Sequence, residues 1–242
     1  MSQSDTPHLD PLALEDIGIA AVLTDIEGTT SDISFVKNVL FPYAAEHLPA
    51  FVREHADDPQ VKHQLMLVAG EIGWVEADTE TLIGVLLRWI EDDRKVTPLK
   101  TLQGMIWDVG YRQGDFTGHL YTDAHDYLQR WHQAGIELYV FSSGSVPAQK
   151  LLFGFSDFGD LTPLFSGYFD TTTGAKRERV AYQRIQAEID LPAPCILFLS
   201  DIAEELDAAR AAGMKTCELR RDGQPASGRH PVATDFTEVP CK

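Results

Sequence analysis

The stretch Ala21-Val22-Leu23-Thr24-Asp25-Ile26-Glu27-Gly28-Thr29-Thr30 constrains this chain more than any other. Residues 19–23 form an apolar run that predicts a short buried strand. The run stops at two acids two residues apart, Asp25 and Glu27, followed by Gly28 and two threonines. Side chains at i and i+2 leave a strand on the same side, and the glycine frees the backbone to turn back. Two carboxylates are thereby presented together at a strand's carboxyl end, where open α/β sheets place their ligand sites.

The rest of the chain supplies the sheet. Residues 136–141 and 195–199 read as buried strands, ending at Ser142-Ser143-Gly144-Ser145 and at Ser200-Asp201. Residues 215–219 are expected to close the sheet. Helical patterns separate them: 123–133 with Gly135 as its stop, about 147–153, one opening at Lys176 and running through Glu188, and 203–212 with Gly213 as its stop. Strands alternating with helices predict an α/β fold with a Rossmann-like parallel sheet core.

Between residues 34 and about 120 no strand pattern of comparable strength appears. Val36, Val39, Leu40, Tyr43, Ala44 and Leu48 fall at helical spacing, with Pro42 and Pro49 expected to break or kink the helix. Leu82, Val85, Leu86, Trp89 and Ile90 form one face of a helix capped by Asp78 or Thr79. Thr97-Pro98 is expected to open another helix that ends at Gly110. The expected organisation is a catalytic core from residues 1–33 and 121–242, with a helical cap domain, 34–120, inserted after the first strand.

Three of the strands end in small or acidic residues: Asp25/Glu27, Ser142/Ser143 and Asp201. In a parallel sheet these ends share one edge. Asp25 and Asp201 together make a hard oxygen site suited to Mg²⁺; without a cation the two carboxylates repel. The Ser142-Ser143-Gly144 turn precedes a helix and offers hydroxyls and N–H groups to a phosphate. Lys176, after a Thr- and Gly-rich loop, is placed to neutralise a further charge.

The order Asp, Ser, Lys, Asp resembles the haloacid dehalogenase-like hydrolase superfamily. The chain resembles more narrowly its enolase-phosphatases of methionine salvage, along most of its length. That likeness rests on Thr24 to Thr30 with Ser34-Phe35-Val36, on Gln103-Gly104-Met105-Ile106-Trp107 with Gly110-Tyr111, and on Phe141 to Ser145 with Ala148-Gln149-Lys150. It continues in Asp170-Thr171 with Gly174 to Glu178, and in Leu197 to Asp201 with Glu204-Glu205-Leu206. Most of the superfamily carries a second aspartate where this chain has Glu27; the enolase-phosphatase branch carries the glutamate.

The resemblance implies a haloacid dehalogenase-like core with a cap and a mechanism on named residues. Asp25 attacks phosphorus and forms an aspartyl-phosphate. Glu27 protonates the leaving oxygen and then activates water. Asp25, the backbone carbonyl of Glu27 and Asp201 hold Mg²⁺; Ser142, Ser143 and Lys176 bind the phosphoryl group. The implied substrate is a small phosphorylated diketone, 2,3-diketo-5-methylthiopentyl-1-phosphate, first enolised and then dephosphorylated to the acireductone 1,2-dihydroxy-3-keto-5-methylthiopentene. No residue stands out as the enolisation base. The same motifs also serve sugar-phosphate phosphatases and phosphomutases, and a silent metal- or partner-binding relative is a further alternative.

Charge and cysteine usage bound the remaining classes. The 242 residues carry 37 acids against 20 bases, a formal net charge of −17, which opposes nonspecific nucleic-acid binding. Three cysteines without CxxC spacing suggest neither a disulfide framework nor a zinc site. Residues 1–17 read as a loose lead-in, no signal pattern opens the chain, and no apolar run reaches the ~18 residues of a membrane span. A cytoplasmic protein with no membrane or nucleic-acid partner is expected, with a monomer as the default. Glu204 and Glu205 are read as complementing a helix N-terminus, with support of Asp201 as the lesser alternative. Trp107 and Tyr111 are read as one helix face, and His47, His63 and His119 as surface or core residues.

Overall fold

The computed structural model describes residues 12–239 apart from 222 and 224, so the lead-in at 1–11 and Cys241 lie outside the described residues. Six parallel strands form one sheet in the order β3-β2-β1-β4-β5-β6. They are β1 (Ala21–Thr24), β2 (Glu137–Phe141), β3 (Gly167–Phe169), β4 (Ile196–Ser200), β5 (Lys215–Leu219) and β6 (Val232–Ala233). The strand that carries the two acids is therefore central. Thr24 pairs in register with Val140 of β2 and with Leu199 of β4. Asp25, Ser142 and Asp201 follow within one or two residues of that row, which brings three strand ends to one place.

Alternation along the strands divides the core. Ala21, Leu23, Tyr139, Phe141, Ile196 and Phe198 face one layer, which holds α9 (Arg179–Ile189) and α10 (Ala203–Ala211). Val22, Leu138, Val140, Leu197 and Leu199 face the other, where α7 (Thr122–Gln133) and α8 (Val146–Gly154) pack.

Among the described residues no strand lies between β1 and β2. The segment is helical: α3 (Phe41–His55), α4 (Pro59–Glu71), α5 (Thr79–Glu91) and α6 (Thr97–Gln113), preceded by one turn at Ile33–Phe35 and a π-helical turn at Val36–Leu40. Their apolar faces bury Leu48, Val52, Val68, Leu86, Leu99 and Leu102.

Several local expectations are corrected. Pro42 does not break the helix: the π-helical turn Val36–Leu40 leads directly into α3, and the proline falls where the helix changes from π to α. Pro49 lies inside a helix that runs on through it. Asp78 is the cap of α5, accepting from the Thr81 N–H at 2.8 Å. Thr97 is the first residue of α6 rather than its cap, and the helix passes Gly110 to end at Gly114, with φ 77. Gly110 sits there because a Cβ would lie 2.6 Å from Phe116 and 2.7 Å from Tyr43.

Helix α4, the short helix Leu12–Asp16, and the edge strands β3 and β6 were not apparent from the sequence, and β6 rather than β5 closes the sheet. Cys217, buried in β5, is disulfide-bonded, contrary to the expectation from cysteine spacing. Among the described residues no helix is long and apolar enough to cross a membrane.

Candidate active site

Asp25 begins the loop after β1 and is 5% exposed. Its Oδ1 accepts from the Ile26 N–H at 2.8 Å and from Lys176 Nζ at 2.7 Å. Thr24 Oγ1 donates to the Asp25 carbonyl at 2.9 Å, and the Asp25 N–H donates to Leu199 O. Oδ1 is thus held by close bonds, one of them charge-assisted, whereas Oδ2 has only the distant Ser200 Oγ donor at 3.5 Å and is the freer oxygen.

Lys176 does not begin a helix. It stands in a turn three residues before α9, is 7% exposed, and bridges Asp25 Oδ1 and Glu205 Oε2 at 2.7 Å each. Its carbonyl accepts from Tyr182 Oη at 2.7 Å, which anchors the turn on the core. Burial disfavours the Lys176 charge, but Asp25 and Glu205 outweigh it and raise its pKa. Glu204 and Glu205, adjacent in the first turn of α10, have different surroundings. Glu205 is buried against Lys176 and Ser200, whereas Glu204 is exposed beside Arg229.

Glu27 and Asp201 are half-buried and line one cavity together with Asp25, Ser142, Ser143, Lys176 and Glu205. Burial, and then the Asp25 charge, raise the Glu27 carboxyl above the usual range, while Lys95 and Lys176 pull it back. Burial and Asp25 likewise push Asp201 up to about 7. Gly28, at φ 70, packs on Asp201: a Cβ there would lie 2.4 Å from its Oδ2. Among the described residues no group of three or more histidine, cysteine or acidic side chains is arranged to enclose an ion. The site offers instead two crowded carboxylates, Asp25 and Asp201, with mutual repulsion that a cation would relieve. That donor set fits a hard ion that keeps most of its waters.

The Ser142-Ser143-Gly144 turn lies beside them. Ser142 is buried and its Oγ accepts from the Gly144 N–H at 3.3 Å. Ser143 is exposed to the cavity, and its carbonyl accepts from Lys100 Nζ of α6 at 2.8 Å. Asp170, after β3, accepts from the Val146 N–H and fixes the start of α8. Gln149 Nε2 donates to the carbonyls of Gly144 and Phe169, which ties the turn to β3.

Three supports of the site carry no motif in the sequence. Arg221 donates to Thr29 O at 2.6 Å and forms a two-pronged pair with Asp123, locking the loop after Asp25 onto α7. Arg220 donates to the carbonyl of Asp201 at 2.9 Å. His119 Nδ1 accepts from the Asp32 N–H at 3.1 Å, so it is neither a surface residue nor a core filler but a brace for the same loop. Their only signal in the sequence was polarity. Trp107 and Tyr111 are core residues, and the Trp107 N–H donates to Leu40 O in the π-helical turn.

An acidic strand end, a Ser-Ser-Gly turn opening a helix and a bridging lysine at one sheet edge fit a hydrolase of phosphate esters built on a doubly wound sheet. The family model for haloacid dehalogenase-like hydrolases matches residues 19–213. The chain is 59% identical over 221 residues to enolase-phosphatase E1 of Pseudomonas aeruginosa (strain UCBPP-PA14), covering 91% of this chain and 98% of that one. It is 56% identical to enolase-phosphatase E1 of Alcanivorax borkumensis, covering 91% and 98%. Among solved structures it is similar to the UTR4 protein of Saccharomyces cerevisiae, with a TM-score of 0.77, 35% identity, and 90% and 98% coverage. A dehalogenase structure at 19% identity and a TM-score of 0.56, covering 91% and 95%, shares the fold. The chain belongs to the haloacid dehalogenase-like hydrolases and, within them, to the enolase-phosphatase E1 family.

Proposed function

We propose that the protein is a bifunctional enolase-phosphatase that enolises 2,3-diketo-5-methylthiopentyl-1-phosphate and then releases phosphate, yielding the acireductone of methionine salvage. The observation that carries this reading is the position of Glu27. It lines the cavity of Asp25 and also a mainly apolar cavity of about 670 Å³ lined by Val36, Phe41, Leu87 and Ile90, with Lys37, Glu91, Asp93 and Lys95 as its other charged members. A phosphate held at Asp25 thus has an apolar chamber beside it, which suits a methylthioalkyl tail better than a polyhydroxylated sugar.

Asp25 Oδ2 attacks phosphorus, while Lys176 holds Oδ1 and keeps the carboxylate oriented. Ser142 and Ser143 bind phosphoryl oxygens. Glu27, with its raised pKa, gives a proton to the leaving oxygen and then takes one from the water that cleaves the aspartyl-phosphate. Mg²⁺ would be held by Asp25, Asp201 and the Glu27 carbonyl, and would supply charge neutralisation between nucleophile and phosphate. The helices of residues 34–120 serve as a cap that covers the site and selects the substrate. The protein acts on a small molecule in the cytoplasm as a monomer.

The test supplies the diketo phosphate with Mg²⁺ and follows phosphate together with the ultraviolet absorbance of the conjugated enediol. Both signals are expected. Phosphate without the absorbance would reduce the reading to a plain phosphatase.

A further inference from the structure

A cavity of about 70 Å³ adjoins both the Asp25 site and the apolar chamber, sharing Glu27 and Lys95 with each. Glu27, Gln103, Ser143, Gly144, Lys95 and Lys100 are among the residues that line it. With phosphate against Ser142, Ser143 and Lys176, and the leaving oxygen at Glu27, the carbon bonded to that oxygen enters this narrow space. On the functional reading above, that carbon is the one that loses a proton.

Five titratable groups line the space: Glu27, Asp93, Arg94, Lys95 and Lys100. A guanidinium does not deprotonate in a protein, and that of Arg94 lies over Trp89 at 4.6 Å. Asp93 and Lys95 are exposed and paired with each other at 2.7 Å. Glu27 is engaged with the leaving oxygen. Lys100 differs from all of these. It stands in the first turn of α6, half-buried, with Nζ fixed 2.8 Å from Ser143 O, directly above the phosphate turn. Burial lowers its pKa and Lys95 adds to this, against the pull of Asp170. Partial desolvation beside a second cation moves a lysine towards its neutral, proton-accepting form.

We infer that Lys100 is the catalytic base of the enolisation step, with the Lys95 ammonium paired to the oxygen that gains charge. The C–H bond on the phosphate-bearing carbon breaks and its electron pair forms a C=C bond to the adjacent carbonyl carbon. The carbonyl π pair moves onto oxygen. The carbon-bound proton goes to Lys100 Nζ and the oxygen takes a proton from Lys95. Exchange with solvent restores both lysines, and nothing is oxidised or reduced.

Lys100→Arg tests this, because arginine keeps the charge and a donor for Ser143 O but cannot accept a proton. Enol formation from the diketo phosphate, followed by absorbance, is expected to fall about 10²-fold or more, the lower end of what a general base contributes. Phosphate release from 5-methylthiopentyl phosphate, which has no carbonyl to enolise, is measured on the same variant. Its loss is expected to be smaller by about tenfold or more, on the same scale of general-base effects. Lys100→Gln should show the same selectivity. Near wild-type enol formation by Lys100→Arg overturns the assignment. Equal losses on the two substrates also overturn it, by reducing Lys100 to a tie between cap and core. A wild-type enzyme that forms no enol but hydrolyses the simple ester overturns the functional reading itself, and the assignment with it.

Discussion

Lys176 Nζ lies 2.7 Å from Asp25 Oδ1, and each of the two side chains is 7% exposed. The same ammonium is 2.7 Å from Glu205 Oε2. One buried cation thus serves two carboxylates, and removing it leaves both uncompensated. Lys176→Met should cost about 3–5 kcal/mol of stability, the usual penalty for breaking a buried pair, measured by urea unfolding. Adding Glu205→Gln should recover part of that loss without restoring phosphate release. A Lys176→Met protein as stable as the wild type would show the cluster to be solvated.

Asp25→Asn keeps the shape and the bond from the Ile26 N–H but removes the nucleophilic charge. Phosphate release should disappear while circular dichroism stays unchanged. Turnover near the wild-type rate would exclude an aspartyl-phosphate route.

Gly28→Ala tests the coupling between the loop after β1 and Asp201. The new Cβ would meet Asp201 Oδ2 at 2.4 Å on a backbone with φ 70. The left-handed conformation alone costs an L residue about 1–2 kcal/mol, and Asp201 must move. The Mg²⁺ concentration for half-maximal activity should rise more than the KM for substrate. Unchanged Mg²⁺ dependence would remove Asp201 from the ion's surroundings.

The raised pKa of Asp201 fixes a pH dependence. Burial and the Asp25 charge push the folded carboxyl up to about 7 from an ordinary 3.8, so between those values the folded protein binds more protons than the unfolded chain. Its contribution to stability is present in full below about 4 and is lost as pH rises towards 7. In the metal-free protein Tm should fall with rising pH across this window. Asp201→Asn should flatten the curve, and Mg²⁺ should raise Tm most at the upper end. A wild-type curve that parallels that of Asp201→Asn would refute the assignment.

Glu27→Gln separates the two half-reactions. The amide keeps the backbone carbonyl offered to the cation but cannot cycle a proton, so phosphate release should slow by about 10²–10⁴-fold. With Lys100 as the base of the first step, the phosphorylated enol should accumulate, seen as absorbance that rises before phosphate appears. Simultaneous loss of both signals, with Mg²⁺ still bound, would place Glu27 in both steps.

The sequence by itself determined the strand ends. Asp25, Glu27, Ser142 and Asp201 were legible because short apolar runs halt abruptly at polar residues, and a parallel sheet gathers such ends on one edge. The helical character of residues 34–120 was legible for the same local reason, the spacing of apolar side chains. Strands β3 and β6 were not, since strands of three and two residues carry no periodicity and exist only because a neighbour offers hydrogen bonds. Only the tertiary structure decided which charges are buried. Lys176 was legible as a site residue but not as a buried one, and Glu205 looks like an ordinary helix-start acid in the chain. Packing of α9 and α10 on the sheet takes them out of water, and there each is tolerated because the other is 2.7 Å away. Arg220, Arg221 and Lys100 reach the site from distant segments. Their roles depend on distances through space, which no spacing along the chain encodes.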